Sequence, residues 1–437
     1  MLLAKFKTFL GRITTNENVV KNIFWLLGDK MLRYSVSLVV TVWLARYLGP
    51  DNNGILSYAL FFTSLFGSFV GFGMSTIAVT EISRHPEREN SVLGTAAFLM
   101  LGGAIISFLL QIILIEQIRP GDTVMLGLIL IIGFSYLLKP LDISLTISYI
   151  SRPEYKPVVI AANIGFILSS ILKIIAILYK RDIWAFAVIT TIESAAGCVL
   201  LLWHYQRKSP GIGNWRFEKK LFSQYLKQGF PLLLASLSAD INNRIDLVMV
   251  ADMHSNHEAG IYSVAVTLVQ AWYFLPVIVY NVLFPNLVKL AENNSEAFHQ
   301  KLQKFYNYMA IISYSVCIPV TFFGMDIVKF LYGKDYLESG PVLSLLIWGA
   351  AFVNLGVPRN AYIYSFGYYR LQSQIVIISC ISNVLLNLLL IPKYGAVGAT
   401  IATLISYAYA SFFSNFFHRK IRKNGWMILR ALGNPKF

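Results

Sequence analysis

The sequence predicts an all-α integral membrane protein of about twelve transmembrane helices, in two parallel six-helix halves around a central cavity. Of its 437 residues, 56% are hydrophobic and only 14% are charged, and the mean hydropathy is +0.60. A soluble protein of this length needs more charged surface. Apolar runs long enough to cross a hydrocarbon core recur from end to end. A short motif that returns in the second half of the chain indicates an internal duplication.

The predicted spans follow one another with short connections. They lie at approximately 22–45, 54–79, 92–115, 123–149, 158–178, 183–203, 229–252, 260–287, 305–324, 341–365, 373–391 and 396–418. A basic linker at 206–223 separates an N-terminal half, 1–205, from a C-terminal half, 224–437. These boundaries leave no stretch for a soluble domain.

The distribution of Lys and Arg predicts the orientation. Most of the 37 basic residues fall in the N-terminal tail, the even-numbered loops and the C-terminal tail, and few fall in the odd-numbered loops. By the positive-inside rule, both termini are cytoplasmic. The formal net charge of +15 fits basic inner loops that meet an anionic leaflet, so no nucleic-acid partner is predicted. The three cysteines lie in apolar runs without paired spacing, so neither a metal nor a cofactor is predicted.

The repeated motif opens the second span of each half. Gly54-Ile-Leu-Ser-Tyr-Ala59 and Gly260-Ile-Tyr-Ser-Val-Ala265 agree at four of six positions and lie 206 residues apart. The first span of each half also carries an acid–base pair at i, i+4, Asp29 with Arg33 and Asp240 with Arg244. Each half has an even number of spans, so the two halves have the same topology, which is typical of an alternating-access transporter.

Four segments of the sequence carry a family resemblance. They are Ala45–Gly54 (ARYLGPDNNG), Arg244–Asp246 with Gly260–Ser263, Gly367–Arg370, and Asn383–Ser406 with its IPKYG and GATIAT runs. Together they resemble the polysaccharide flippases of the multidrug/oligosaccharidyl-lipid/polysaccharide exporter superfamily. The first resembles the end of that family's first span, and the last resembles its final hairpin. The resemblance extends over nearly the whole chain.

The resemblance implies a Wzx-type flippase in the bacterial cytoplasmic membrane. Such proteins move an undecaprenyl-diphosphate-linked repeat unit, for O-antigen or capsule, from the inner to the outer leaflet. The implied partners are this lipid-linked oligosaccharide and membrane lipids, with the polysaccharide polymerase and chain-length machinery as candidates. Two alternatives stay open: a membrane-embedded polysaccharide polymerase or ligase, and a cation-coupled multidrug exporter of the same superfamily. The chain has no phosphate loop and no large outer loop, so an enzyme is not predicted.

Cations within the spans are candidate contacts for a diphosphate, because charge-assisted hydrogen bonds to phosphate are strong in a dry setting. The candidates are Arg33, Arg244, Lys30, Lys139 and Arg359. For the two arginines of the repeated pairs, the alternative is an intrahelical ion pair that eases insertion. Lys30 and Arg359 lie close enough to the inner face to snorkel towards the headgroups. Lys139 precedes a proline that interrupts the fourth span, which indicates either a plain kink with a local ion pair or a hinge or broken helix beside the cavity.

Carboxylates within the spans are candidates for ion pairing or for coupling to an ion gradient. They are Asp29, Asp240, Asp246, Glu193 and Asp142. Glu193 lies near the centre of the sixth span with no basic residue one turn away. It therefore either pairs with another helix, through a residue such as Lys173, or carries a proton.

Overall fold

A computed structural model describes residues 17–152, 154–208 and 211–434. Side chains are described from residue 35 onward and at residue 33, except at 274, 275, 278, 281, 282 and 285. Within these ranges the regular elements are helices and tight helical turns, without strands. The all-α class predicted from the sequence is therefore confirmed.

The chain forms two compact units. Unit 2 is the continuous stretch Pro50–Gly260, and unit 1 combines the chain up to Gly49 with the chain from Ile261 onward. Each unit thus contains the first predicted span of the opposite sequence half. These two units are not the two sequence halves, 1–205 and 224–437. The division of the sequence into two duplicated halves stays a prediction.

The helices up to residue 270 are kinked or interrupted at several points. They are α1 (Glu17–Leu65), α2 (Gly67–Gly71), α3 (Met74–Arg84), α4 (Glu89–Ile118), α5 (Thr123–Phe134), α6 (Lys139–Ser151), α7 (Lys156–Leu178), α8 (Ile183–Lys208), α9 (Lys219–Met253) and α10 (Asn256–Gln270). The long α1 kinks at Gly49, which has a φ of 70°, a value that glycine adopts without strain. Pro50 follows and removes one backbone donor, so the kink lies where the helix is weakest.

The remaining helices of the described chain belong to unit 1. They are α11 (Phe274–Asn293), α12 (Ser295–Tyr332), α13 (Ser339–Ser365), α14 (Tyr369–Ala408), α15 (Ser414–Phe417) and α16 (Arg422–Gly433). Gly395, with a φ of 52°, kinks α14. Ser379 Oγ donates to the Ser406 carbonyl at 2.9 Å, so the two arms of α14 lie side by side as a hairpin. Gly398 belongs to this turn, because a Cβ there would lie 2.4 Å from the Leu390 carbonyl oxygen.

The fourth span is broken, which is one of the two alternatives that the sequence leaves open. Helix α5 ends at Phe134, a tight turn covers Ser135–Leu137, and α6 begins at Lys139 with Pro140 in its first turn. Proline suits this position because the N–H groups in the first turn of a helix have no acceptor within the helix, so the N–H that proline lacks costs no hydrogen bond. The break leaves Lys139 at a helix start rather than inside a regular helix.

A second break, in the second span, was not predicted. The helix is interrupted between α2 and α3, where Phe72 has a φ of 45° and Gly73 a φ of 70°. A left-handed phenylalanine is strained by roughly 1 kcal/mol. Gly229 of α9 packs against this point, since its Cβ would lie 2.6 Å from the Phe72 carbonyl oxygen. The close approach of α9 thus accompanies the break.

The repeated glycines lie at a reciprocal helix crossing in unit 2. A Cβ on Gly54 would lie 1.8 Å from the carbonyl oxygen of Asn256, and a Cβ on Gly260 would lie 2.0 Å from that of Pro50. The 206-residue offset of the motifs also relates Pro50 to Asn256. Each glycine therefore contacts the residue four positions before the other.

Eight helical segments of the described chain are long and apolar enough to cross a membrane: Ser35–Arg84, Pro86–Ile118, Thr123–Ser151, Lys156–Leu178, Ile183–Lys208, Ser295–Tyr332, Ser339–Ser365 and Tyr369–Phe417. Large apolar side chains are exposed along them; Phe322 is 77% exposed and Leu389 is 67% exposed. Outward apolar faces on helices of this length are suited to lipid. The protein is a multi-pass membrane protein. The predicted seventh span lies in α9, and the eighth in α10 and α11, and neither segment is among the eight.

Candidate functional site

A polar cluster in unit 2 joins three helical segments in the middle of their predicted spans. Ser64 and Ser68 of α1 and its continuation face Asp240 and Arg244 of α9. Ser68 Oγ donates to Asp240 Oδ2 at 2.5 Å, and Arg244 Nη1 donates to Ser64 Oγ at 2.9 Å. The two serines are four residues apart, and so are Asp240 and Arg244, so the two hydrogen bonds lie one helical turn apart between antiparallel segments.

The break in the fourth span adds a second cation to this cluster. Lys139 Nζ lies 3.6 Å from the centroid of the Tyr136 ring, a cation–π contact. The charges of Arg244, Asp142 and Asp240 all act on the Lys139 ammonium. The structure thus gathers four predicted residues: Arg244, Lys139, Asp240 and Asp142.

The four charges of the cluster are half-buried. Two cations and two carboxylates give no net charge, which makes their place among apolar helices less costly. The arrangement presents guanidinium, ammonium and serine hydroxyl donors next to the Phe61 ring, whose centroid lies 5.8 Å from Arg244 Cζ. Donors of this kind suit a phosphate, and hydroxyls with a ring suit a sugar. An anion that enters would compete with the two carboxylates for the cations.

The intrahelical ion pair considered for Asp240 and Arg244 does not form. Among the described residues, neither side chain has an ion-pair partner within 4 Å, and each bonds to a serine across the helix interface instead. The sequence spacing gave the correct helix face, but it could not show that the facing helix offers hydroxyls at matching height.

Glu193 pairs with another helix, as one of the two predicted alternatives states. Lys173 Nζ lies 3.5 Å from Glu193 Oε2, and Ser169 Oγ donates to the same oxygen at 2.6 Å. Gly165 brings α7 and α8 together here, since its Cβ would lie 2.8 Å from the Glu193 carbonyl oxygen. Lys173 is therefore a partner for Glu193 rather than a snorkelling residue.

Arg359 is buried within unit 1, so the expectation that it snorkels is wrong. It is 2% exposed. Its guanidinium donates to Gln372 Oε1 at 2.9 Å and to Ser414 Oγ at 3.4 Å. Both partners come from α14 and α15, which enclose the side chain. Its role as a phosphate contact stays a prediction, and in this structure it ties helices of unit 1 together.

Of the other predicted residues, two have side chains that the structure describes. Arg33 is half-buried in unit 1, and Asp246 is 4% exposed in unit 2. Asp29 and Lys30 lie outside the residues whose side chains the structure describes. Their predicted roles stay predictions.

A second polar network, which the sequence analysis did not identify, lies between the cluster and the glycine crossing. Arg119 Nε donates to Asp252 Oδ1 at 2.6 Å, and Tyr58 donates to Asp252 Oδ2 at 3.0 Å. Arg119 also donates to Asn256 at 3.0 Å and stacks over the Tyr58 ring at 4.2 Å. Three helices are thereby tied at one carboxylate. Arg119 and Asp252 lie at span ends, where charges are usually solvated, so nothing in the sequence marked them as buried partners.

Comparison with known sequences identifies the family. The profile described as polysaccharide biosynthesis protein matches residues 19–291. The chain belongs to this family. It is 24% identical over 408 residues to the capsular polysaccharide biosynthesis protein CapF of Staphylococcus aureus, covering 92% of this chain and 100% of CapF. It is 21% identical over 399 residues to a putative O-antigen transporter of Shigella flexneri, covering 88% and 94% of the two chains. The resemblance to Wzx-type polysaccharide flippases is confirmed.

Solved structures give the fold. The lipid II flippase MurJ in an inward closed conformation matches with a TM-score of 0.73 and 17% identity, covering 94% of this chain and 91% of MurJ. An inward-facing multidrug resistance MATE family transporter of the MOP superfamily matches with a TM-score of 0.71 and 13% identity, covering 92% and 95%. The fold is that of MOP superfamily transporters. These names agree with the prediction that the chain is not an enzyme.

Proposed function

We propose that this protein is a flippase for an undecaprenyl-diphosphate-linked oligosaccharide repeat unit of an O-antigen or capsule. It moves this substrate from the inner to the outer leaflet of the bacterial cytoplasmic membrane by alternating access. Membership of the polysaccharide biosynthesis family supports the proposal, as do the names of a capsular biosynthesis relative and a putative O-antigen transporter. MurJ, which shares the fold, is a flippase for lipid II.

The polar cluster of unit 2 is the observation that carries this proposal. Arg244 and Lys139 bring two cations and adjacent serine hydroxyls to mid-span depth. An ionisable side chain there costs about 2.5–3.5 kcal/mol on insertion scales, so it needs a function or a compensating partner. A diphosphate is a suitable ligand, because it can exchange with the carboxylates of Asp240 and Asp142 at the two cations. Coupling to an ion gradient would use these carboxylates or Glu193.

The proposed topology has twelve spans in two duplicated six-span halves, with both termini in the cytoplasm. The reciprocal packing of Gly54 and Gly260 supports the duplication, since the sequence offset and the contact offset agree. The concentration of Lys and Arg in the tails and even-numbered loops supports the orientation. Cysteine labelling of single-cysteine variants at the N-terminal tail and at the linker 206–223 tests it; labelling from the outside only would contradict it.

The test of function is a clean deletion in the native host, with lipid-linked oligosaccharide analysed by membrane leaflet. The expected result is loss of surface polysaccharide, with a single repeat unit retained on the inner leaflet. Repeat units that reach the outer leaflet unpolymerised would indicate a polymerase instead. An unchanged surface with altered drug sensitivity would move the protein to the drug-exporting branch.

Variants in the deletion strain then test the cluster. Arg244→Gln and Lys139→Gln should each lower restored surface polymer at least tenfold at equal protein level, because each removes about one charge-assisted contact. Arg207→Gln is the matched control, since Arg207 stacks on Trp203 at 3.9 Å and lies in the last turn of α8, away from the cluster. Full restoration by Arg244→Gln together with Lys139→Gln would remove the cluster from substrate binding.

A further inference from the structure

A cavity of 740 Å³ lies between α12 and α16 on unit 1. Three cations line it: Lys304 on α12, and Lys423 and Arg430 on α16. All three are exposed. Within the described part of the chain, none of them forms an ion pair, and no acidic residue lines the cavity. The cavity is therefore complementary to an anion.

Polar contacts fix α16 against α12, so the cavity belongs to the fold. Tyr306 donates to Asn424 Oδ1 at 2.9 Å, and Gln303 Nε2 donates to the Met427 carbonyl at 3.0 Å. Trp426 of α16 also lines the cavity and contacts the Phe416 ring at 5.9 Å between centroids, and it is 57% exposed. An exposed tryptophan beside lysine and arginine on an amphipathic helix is typical of a helix at the membrane interface. An anion bound here therefore lies at headgroup level.

Two acceptors among the lining residues lack a donor. His299 Nδ1 lies 2.6 Å from the Ser295 carbonyl, so Nδ1 carries a proton, and in the neutral imidazole Nε2 is an acceptor. That Nε2 and the Oε1 of Gln303 are both buried without a hydrogen-bond partner. Each such group costs about 1–3 kcal/mol. A headgroup with hydroxyls can donate to them after a small side-chain rotation, whereas a bare phosphate ester cannot.

We propose that this cavity binds the headgroup of an anionic phospholipid, with its phosphate on Lys423 and Arg430 and its hydroxyls turned to the α12 side. Phosphatidylglycerol has this chemistry. The lipid would hold α16 against the inner leaflet. This proposal does not depend on the proposed transport substrate, so the failure of one would leave the other unaffected.

Native mass spectrometry of the full-length protein in mixed lipid tests the site. Wild-type protein should retain phosphatidylglycerol at least tenfold over phosphatidylcholine, and Lys423→Gln/Arg430→Gln should lose about tenfold of that retention. The matched control is Arg207→Gln/Lys208→Gln, which removes the same charge from the last turn of α8 and should behave as wild type. Equal loss in both double variants would mean a general surface-charge effect and would overturn the proposal.

Further measurements distinguish the source of the phosphate. Phosphatidic acid, which lacks headgroup hydroxyls, should be retained less than phosphatidylglycerol; equal retention would overturn the role of the hydroxyls. Free glycerol phosphate at millimolar concentration should leave the lipid bound, and displacement would mean a soluble ligand. If the double variant does not fold, Lys304→Gln, on the exposed surface of α12, should still lower retention several-fold, and no change there would overturn the proposal.

Discussion

Replacing Gly54 by alanine tests the closest helix contact in unit 2. The added Cβ would lie 1.8 Å from the Asn256 carbonyl oxygen, whereas carbon and carbonyl oxygen contact each other at about 3.3 Å. The two backbones must therefore separate by roughly 1.5 Å. Both partners are backbone, so no flexible side chain can yield. Overpacking of this kind costs about 1–3 kcal/mol, against about 0.5–1 kcal/mol gained by alanine over glycine in a helix.

Gly102→Ala is the matched control, because a Cβ there meets nothing within 4 Å. That variant should gain about 0.5–1 kcal/mol, so the two variants should differ by about 2 kcal/mol. In detergent, Gly54→Ala should melt roughly 2 °C below Gly102→Ala at one fixed scan rate. The double variant Gly54→Ala/Gly260→Ala should lose less than the sum of its parts, since one separation relieves both clashes. A Gly54→Ala protein that melts with the control would refute the close crossing.

Four further substitutions follow from the described contacts. Lys173→Met and Glu193→Gln should each destabilise the protein by about 1–2 kcal/mol, because each leaves one charge without its partner. The double variant should be destabilised by less than the sum, because it removes the ion pair as a unit. Additive shifts of the melting temperature would contradict the pairing. Arg359→Lys should lower yield and melting temperature, since an ammonium cannot reproduce the forked contacts to Gln372 and Ser414; a wild-type melting curve would argue against those bonds. Gly395→Ala should destabilise by about 1 kcal/mol or more because its φ is positive, measured against Gly102→Ala; equal melting temperatures would contradict the tight hairpin.

The helical class followed from the sequence, and the observed arrangements at Pro140 and at Glu193 are each one of two alternatives that the sequence left open. Each depends on a local signal: apolar run length, a proline inside a span, or a carboxylate without a base one turn away. The partner of Glu193 could be named because Lys173 is the basic residue in the adjoining span.

The contacts between distant helices did not follow from the sequence. Asp240 and Arg244 bond to serines about 170–180 residues earlier in the chain, and serine carries no signal of its own within an apolar span. Arg359 was expected to reach the surface because depth in a span was judged from distance along the chain. Its burial depends on α14 and α15, which return beside it.

The unwinding at Phe72 was missed for a similar reason. Glycine is common in membrane helices, so Gly73 did not mark a break, and phenylalanine is not expected at a positive φ. Gly229, which packs against this point, lies more than 150 residues away in the sequence.

The reciprocal crossing of Gly54 and Gly260 has a consequence for the history of the chain. A contact in which each partner presents the same surface to the other is the isologous geometry of a two-fold dimer. An ancestor with a single half would have formed it from two copies of one polypeptide, and one mutation would have altered the crossing twice. In the proposed duplication, gene fusion then makes the two glycines separate sites under separate selection. A substitution at one glycine can then be offset by a substitution at the other. The two halves can also diverge in sequence without the same change in both, which the proposed transport of an asymmetric substrate requires.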